Sequence, residues 1–447
     1  MNYKEALDYL YGFVDFEQRP GAAPERMDLS GITALTEALD HPEGQWKSVH
    51  VAGTKGKGST AAMIAAIVRE CGYRVGLYTS PHLVSLRERI QVDGEPISEP
   101  EFAELTESAR PAIEGTGPRW KDMGSFFDVL TALAFVYFKE RRVDLAVVEC
   151  GLGGRLDSTN VIRPLVCAIT PIGLDHTDRL GGTIAEIARE KAGIVKEGVR
   201  TVSAAQLPEA SEAIREACRR HGSSLVQVGL DVRYALKEAA IDRQVIDIEA
   251  AGRMYEDLAL PLSGTYQAAN AAMAVGVAQA LSEGDMEITD RGVRQGLASV
   301  RLPGRMQVLQ DRPWVVLDGA HNVLAAESLT DSLRGLFPAR RVIVVLSAHR
   351  DKAVEDLCAV IARYADEIIV PERRVLRKRQ ADPGDVAAAC MGAGTPARTA
   401  PSVAAALSEA MGRTGPDDLV LVTGCFALVG EVLEVLNELE PEETASR

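Results

Sequence analysis

Val51-Ala52-Gly53-Thr54-Lys55-Gly56-Lys57-Gly58-Ser59-Thr60 stands between a short apolar run, residues 48–52, and a segment with helical spacing, residues 59–71. A chain that leaves a strand through glycines and enters a helix is suited to hold an anion. Glycines let successive backbone N–H groups face one point, the helix N-terminus adds partial positive charge, and a lysine reaches the outer phosphates. Ser59 or Thr60 can offer a hydroxyl to Mg2+. The strict spacing G-x-x-x-x-G-K-[ST] is not met: Gly53 stands four residues before Lys57, and Gly58 separates Lys57 from Ser59. The structural alternative is a tight strand–helix turn. The strand–loop–helix context and two lysines favour a phosphate loop made of Thr54, Lys55, Gly56, Lys57, Gly58, Ser59 and Thr60.

Outward from this loop, short apolar runs alternate with helical patterns. Residues 48–52, 75–78, 145–149 and 166–170 read as strands, and 59–71, 126–139 and 184–195 as helices. This rhythm implies a parallel sheet with helices on both faces. A second alternation follows Arg301-Leu302-Pro303-Gly304-Arg305, with strands at 314–317, 342–346, 367–370 and 419–423 and helices at 325–335, 352–364 and 426–437. The Pro-Gly pair is a hinge between two α/β domains, residues 1–300 and 301–447. Residues 229–262 alternate like antiparallel strands, a small extra sheet in the first domain.

A chain of 447 residues suits two domains. No stretch of about 18 apolar residues exists, so no helix is expected to span a membrane. The first residues carry acids inside an apolar pattern and do not read as a signal peptide. A formal charge of −15 repels phosphate backbones and argues against a nucleic-acid partner. The seven cysteines are scattered without metal-knuckle spacing; they read as small buried hydrophobes in a reduced cytoplasm. The charged residues 438–447 read as a frayed end.

The string Gly53–Thr60 resembles the nucleotide loop of the Mur ligase superfamily, in its folylpolyglutamate synthase branch. Further segments match in order: Thr79-Ser80-Pro81-His82-Leu83 with Arg87-Glu88-Arg89-Ile90; Glu149 at a strand end; Gly151-Leu152-Gly153-Gly154-Arg155-Leu156-Asp157-Ser158-Thr159-Asn160; Asp175-His176 after another strand; and Arg189-Glu190-Lys191-Ala192-Gly193. Weaker matches are Asn270, placed at a helix start, Arg305 after Leu-Pro-Gly, and Asp318-Gly319-Ala320-His321-Asn322. The sequence departs from the family pattern at Asp128, Ser158, Val323 and Cys425.

The resemblance implies a P-loop parallel-sheet ATPase domain followed by a smaller Rossmann-like α/β domain. It implies an ATP-dependent, amide-forming ligase that joins L-glutamate to dihydropteroate or a reduced folate, bifunctional and monomeric. ATP contacts fall to the phosphate loop, Asn270, Arg305, Asp318 and His321. Ser80, Glu149 and His176 suit Mg2+, two ions in all, because a hard cation takes oxygen ligands and tolerates an imidazole. Lys191 joins them as a carbamate, since an ammonium offers only donors. Lys57, Lys191, His176 and Arg305 are the catalytic set. Ser125, Leu156, Asp157 and Ser158 fall on the folate side, where a carboxylate suits the donor edge of a pterin.

Three other classes compete. Another Mur-type ligase would lack Gly58 and the Ser-Pro-His-Leu segment. A P-loop kinase or GTPase would carry an Asp-bearing Walker B strand and a guanine-reading motif, which are not found. A non-catalytic nucleotide module would not need Glu149, His176, Lys191 and Arg305 together. The basic run Arg373-Arg374 and Arg377-Lys378-Arg379 reads first as a solvated loop; its functional alternative is attraction of glutamate carboxylates.

Overall fold

The computed structural model describes residues 1–14, 28–116, 124–284, 286–350, 353–374 and 379–439. Its first sheet has eight strands in the order β4-β3-β2-β5-β1-β6-β7-β8. These are β1 (Lys47–Ala52), β2 (Val75–Tyr78), β3 (Ile90–Val92), β4 (Glu95–Pro96), β5 (Leu145–Glu149), β6 (Val166–Ile169), β7 (Arg200–Ser203) and β8 (Leu225–Gln227). All neighbours from β2 to β8 pair in parallel, and β3 and β4 add an antiparallel edge.

Strands covered on both faces lose the usual polar alternation. Every residue of β5 is buried, and so is β1 beyond Lys47. Successive side chains still point to opposite faces. Val49, Val51, Leu145 and Val147 pack against the helices Lys57–Glu70, Tyr266–Ser282 and Asp290–Ser299. Ala146, Val148 and Tyr78 face the other layer, with the helices Glu99–Gly115 and Phe126–Glu140. Capping boxes fix where the site-bearing helices begin: Ser125 with Asp128, and Thr183 with Glu186 ahead of Ile184–Ala192.

The antiparallel alternation expected over 229–262 is a three-stranded sheet of β9 (Val232–Ala240), β10 (Arg243–Ala250) and β11 (Arg253–Leu260), in the order β11-β10-β9. The last sheet contains β12 (Gln307–Asp311), β13 (Trp314–Leu317), β14 (Val342–Leu346), β15 (Glu367–Pro371), β16 (Ala397–Ala400) and β17 (Leu419–Thr423). Its order is β12-β13-β17-β14-β15-β16, parallel except for β12.

Six cysteines are buried and Cys71 is half-buried; none forms a disulfide. Among the described residues no helix is long and apolar enough to cross a membrane. Of the end expected to fray, residues 438–447, the first two instead close the helix Phe426–Leu439, and residues from 440 on lie outside those described.

Candidate active site

Four loops leave the carboxyl ends of the adjacent strands β2, β5, β1 and β6, and these are the four motif-bearing loops. Open α/β sheets place ligands at this edge. Gly53 (φ 147°) leaves β1 so close to Thr170 that a Cβ would collide with its hydroxyl. Gly56 (φ 76°) turns into the helix Lys57–Glu70, and a Cβ there would strike the Asn270 amide. Asn270 therefore abuts the loop, and its Nδ2 donates to Gln267 Oε1 at 2.8 Å. It does not begin its helix as expected. The helix starts at Tyr266, directly after Gly264 (φ 90°) turns the chain, so Asn270 sits in the second turn.

The loop is laced to β6. Thr54 N and Lys55 N donate to Pro171 O at 3.0 and 3.2 Å, and Thr54 Oγ1 exchanges hydrogen bonds with the Gly173 backbone. Beneath it, Lys191 Nζ donates to Gly53 O at 2.7 Å. Lys191 is 5% exposed, and burial, helped by the charge of Lys57, lowers its pKa to about 7. Burial likewise lowers Lys55 to about 8, against the opposing charge of Glu327 from the second sheet's first helix, Val323–Leu336.

Glu149 is 3% exposed. Its Oε1 lies 4.0 Å from Lys57 Nζ, and its Oε2 accepts from Ser80 N at 3.1 Å. Burial raises its pKa; Lys57, the Ser80 N–H, Arg305 and Arg89 pull the other way. A Cβ on Gly58 would stand 3.3 Å from Glu149 Oε2 and 3.9 Å from Arg305 Nη2. The glycine that breaks the strict phosphate-loop spacing thus keeps side-chain bulk out of the space between a carboxylate and a guanidinium.

Arg305 reaches this space from the other half of the chain, with its guanidinium 4.2 Å from the Phe426 ring centroid. Asp318 is buried and accepts from Met306 N and Ala320 N, each at 2.8 Å, which fixes the backbone beside Arg305. His321 Nδ1 lies 3.0 Å from Gly319 O, and its ring leans on Phe426. Asn322 Nδ2 donates to Asp175 Oδ2 at 3.0 Å, which bridges the two sheets. Asp175 Oδ1 accepts from His176 N at 2.9 Å, and His176 is held at φ 50°. His82 Nδ1 accepts from Arg89 Nε at 2.9 Å, a contact that shapes its loop. Sequence reasoning missed Asp175, Asn322 and Phe426 as bridging residues. Each adjoins a residue it did single out.

The donor chemistry fits Mg2+ held partly by phosphate oxygens. Among the described residues no three His, Cys, Asp or Glu side chains converge as an all-protein metal site. Mg2+ takes one or two carboxylates and completes its shell with phosphate and water.

The basic run is not one solvated loop. Arg373, two residues past β15, is 2% exposed and turned inward against Cys425, with Glu372 and Arg374 exposed on either side. Arg374 is exposed beside Glu431 and Glu434. Residues 375–378, with Arg377 and Lys378, lie outside the described residues.

Known proteins share this arrangement. Residues 51–278 match the Mur ligase middle domain, and residues 304–426 the Mur ligase glutamate ligase domain. A dihydrofolate synthase/folylpolyglutamate synthase of Bacillus subtilis is 38% identical over 368 residues, 82% of this chain and 84% of that protein. This chain belongs to the folylpolyglutamate/dihydrofolate synthase family of Mur ligases. The structure of Mycobacterium tuberculosis folylpolyglutamate synthase complexed with ADP superposes with a TM-score of 0.88 at 32% identity, covering 97% of this chain and 98% of that one. A folylpolyglutamate synthase complex with AMPPCP and folate gives 0.83 at 31% identity, covering 98% and 100%.

In this Mur ligase, the loop after β5 is bound twice. Asp157 is 3% exposed; its Oδ2 accepts from Leu152 N at 2.7 Å and its Oδ1 from Thr159 N at 3.0 Å and from the Thr159 hydroxyl. Burial raises its pKa, and these donors oppose the rise. Asp157 thereby organises the loop that displays Leu156 and Ser158. Phe127 fills the space over Gly151. The second tie joins two departures from the family pattern: Ser158 Oγ donates to Asp128 Oδ1 at 2.6 Å, while Asp128 Oδ2 accepts from Ser125 N and Oγ. In urea unfolding, Ser158→Ala and Asp128→Ala should each cost about 1 kcal/mol, and the double variant should cost less than the sum by roughly 0.5 kcal/mol or more. Strict additivity would show that the contact carries no energy.

Proposed function

We propose that this chain uses ATP to join L-glutamate to a folate-type carboxylate, with both dihydropteroate and reduced folates as acceptors, residues 1–300 and 301–447 acting as two domains. The observation that carries it is the convergence of the β1, β2 and β5 exits with Arg305 from the second half around one space. Curated relatives named for both activities support the pairing.

A carboxylate is a poor electrophile, so amide formation needs activation. In this reading the phosphate loop seats the triphosphate, with Asn270 at its wall. The acceptor carboxylate attacks the γ-phosphorus, the bond to the β,γ-bridging oxygen breaks, and ADP leaves. Lys57 and Arg305 offset the charge on the transferring phosphoryl group. Ser80, Glu149, His176 and a carbamylated Lys191 would hold Mg2+, which supplies further positive charge against the phosphate oxygens. The glutamate amine then attacks the acyl carbon, phosphate departs, and the amine sheds a proton. Acyl phosphates hydrolyse readily, so closure of Arg305, Asp318 and His321 over the first sheet serves to exclude water.

The test is phosphate release with ATP, L-glutamate and one acceptor at a time. Dihydropteroate and tetrahydrofolate should both support turnover and a muramyl precursor should not. Absence of turnover on dihydropteroate would leave a folate-only enzyme; turnover on the muramyl precursor alone would overturn the assignment.

A further inference from the structure

At the carboxyl edge of the last sheet, a buried guanidinium has one edge unmatched among the described residues. Arg373 follows β15 and is 2% exposed. Its Nη1 donates to Cys425 Sγ at 3.3 Å, and among the described residues its Nε and Nη2 have no hydrogen-bond partner. Nε and Nη2 form one side of the guanidinium plane. Their N–H bonds run parallel, at the spacing of the two oxygens of a carboxylate. Thr423, the last residue of β17, is fully buried, and among the described residues its hydroxyl is also without a partner. The Arg373 backbone is fixed, since its N–H donates to Gln380 Oε1 at 3.2 Å while Gln380 Nε2 donates to Pro371 O at 2.7 Å.

Leaving charged donors buried and unmatched is costly, so such a group is retained where a ligand completes it. Its place says which ligand. Cys425 adjoins Phe426, whose ring carries Arg305, and Arg305 faces Gly58 and Glu149. A chain of contacts therefore links Arg373, through Cys425 and Phe426, to Arg305 at the phosphoryl-transfer site.

We propose that Arg373 and the Thr423 hydroxyl form a buried carboxylate subsite, filled either by a carboxylate of the entering L-glutamate or by the terminal carboxylate of a γ-glutamyl tail on the acceptor. The inference rests on the ligase reading above and adds the residues that take the second anion. Arg373 is here a specificity-determining residue: it contributes nothing to the phosphoryl step.

The experiment measures KM for L-glutamate with a monoglutamyl acceptor, KM for an acceptor carrying several γ-glutamyl residues, and KM for ATP. Variants are Arg373→Gln, Arg373→Lys and Thr423→Val. A charge-assisted bidentate contact is worth a KM rise of about 10- to 100-fold in Arg373→Gln, with KM for ATP within about twofold of wild type. Lysine restores only part of the loss, because an ammonium cannot fork, and Thr423→Val raises the same KM about threefold or more. A rise confined to glutamate assigns the subsite to the entering amino acid; a rise confined to the long acceptor assigns it to the tail. Unchanged values for both, or a parallel rise for ATP, overturn the subsite. If Arg373→Gln does not fold, unchanged values in Arg373→Lys and Thr423→Val overturn it equally. A wild-type protein without glutamate-dependent turnover would instead refute the ligase reading itself.

Discussion

Glu149→Gln should cripple ligation and leave the fold intact: kcat is expected to fall by about 100- to 1000-fold, the loss usual for removing one preorganised electrostatic group at a phosphoryl or acyl centre. Glu149 is the strand-end carboxylate of β5, which lies between β2 and β1 at the centre of the sheet edge. Around it stand Lys57, the Ser80 N–H and Arg305. Glutamine keeps the shape and can still accept from Ser80 N, but it removes the negative charge that balances two cations. The fold should not suffer. Burial raises the Glu149 pKa, so ionised Glu149 is a destabilising group at neutral pH, and the wild type gains stability from it only as pH falls through the raised value. Melting curves at neutral pH should therefore place the variant level with wild type or above it. Initial rates within about threefold of wild type would show that this carboxylate has no part in the reaction.

Much of the two parallel-dominated sheets was legible because a parallel, doubly covered strand writes itself as a short apolar run. Residues 75–78, 145–149, 314–317, 342–346 and 419–423 were read with the observed bounds. The loops at their carboxyl ends carried the motifs, so the strand order then brought Gly53–Thr60, Ser80, Glu149 and Asp175 together. What escaped was non-local. The helices Tyr3–Tyr11, Ser30–Ala38 and Glu99–Gly115 carry ordinary amphipathic faces with no chemistry to draw attention. Edge strands such as β4 and β8 are too short for a periodicity to register. Ser158 and Asp128 each looked like a small deviation, and only their contact across 30 residues shows that one answers the other. Gly58 looked like a defect of spacing until Glu149 and Arg305 were seen on either side. Arg373 sat in a run of like charges, which normally means solvent, yet the chain past β15 still alternates, turning Arg373 inward while Glu372 and Arg374 stay exposed.

If the Lys191 side chain acts as the proposed carbamate, Lys191→Ala should lose about 100- to 1000-fold in kcat and regain at least about tenfold when a short-chain carboxylic acid is supplied. Lys191 Nζ sits beneath the phosphate loop, 2.7 Å from Gly53 O; Glu149 ends β5 and His176 follows β6, the strands on either side of β1. As an ammonium it would add a third cation beside Lys57 and Arg305 and repel Mg2+. As a neutral amine it can attack CO2: the N–C bond forms, one proton leaves nitrogen for solvent, and a carbamate anion with two oxygen ligands remains. Burial lowers the pKa from 10.5 to about 7, so the reactive amine predominates above neutrality. The stability contribution has the matching sign. The unfolded chain holds this proton up to about 10.5 and the fold only to about 7, so the unmodified lysine penalises folding below neutrality and is relieved as pH rises across that window. Activity of CO2-depleted enzyme should accordingly recover faster with bicarbonate at pH 8 than at pH 6. Labelled bicarbonate should give a carbamate carbon signal in wild type that is missing in Lys191→Ala. Full activity of the alanine variant, or the same carbamate signal with and without the lysine, would show that Lys191 serves as a bare amine pinning the loop through Gly53.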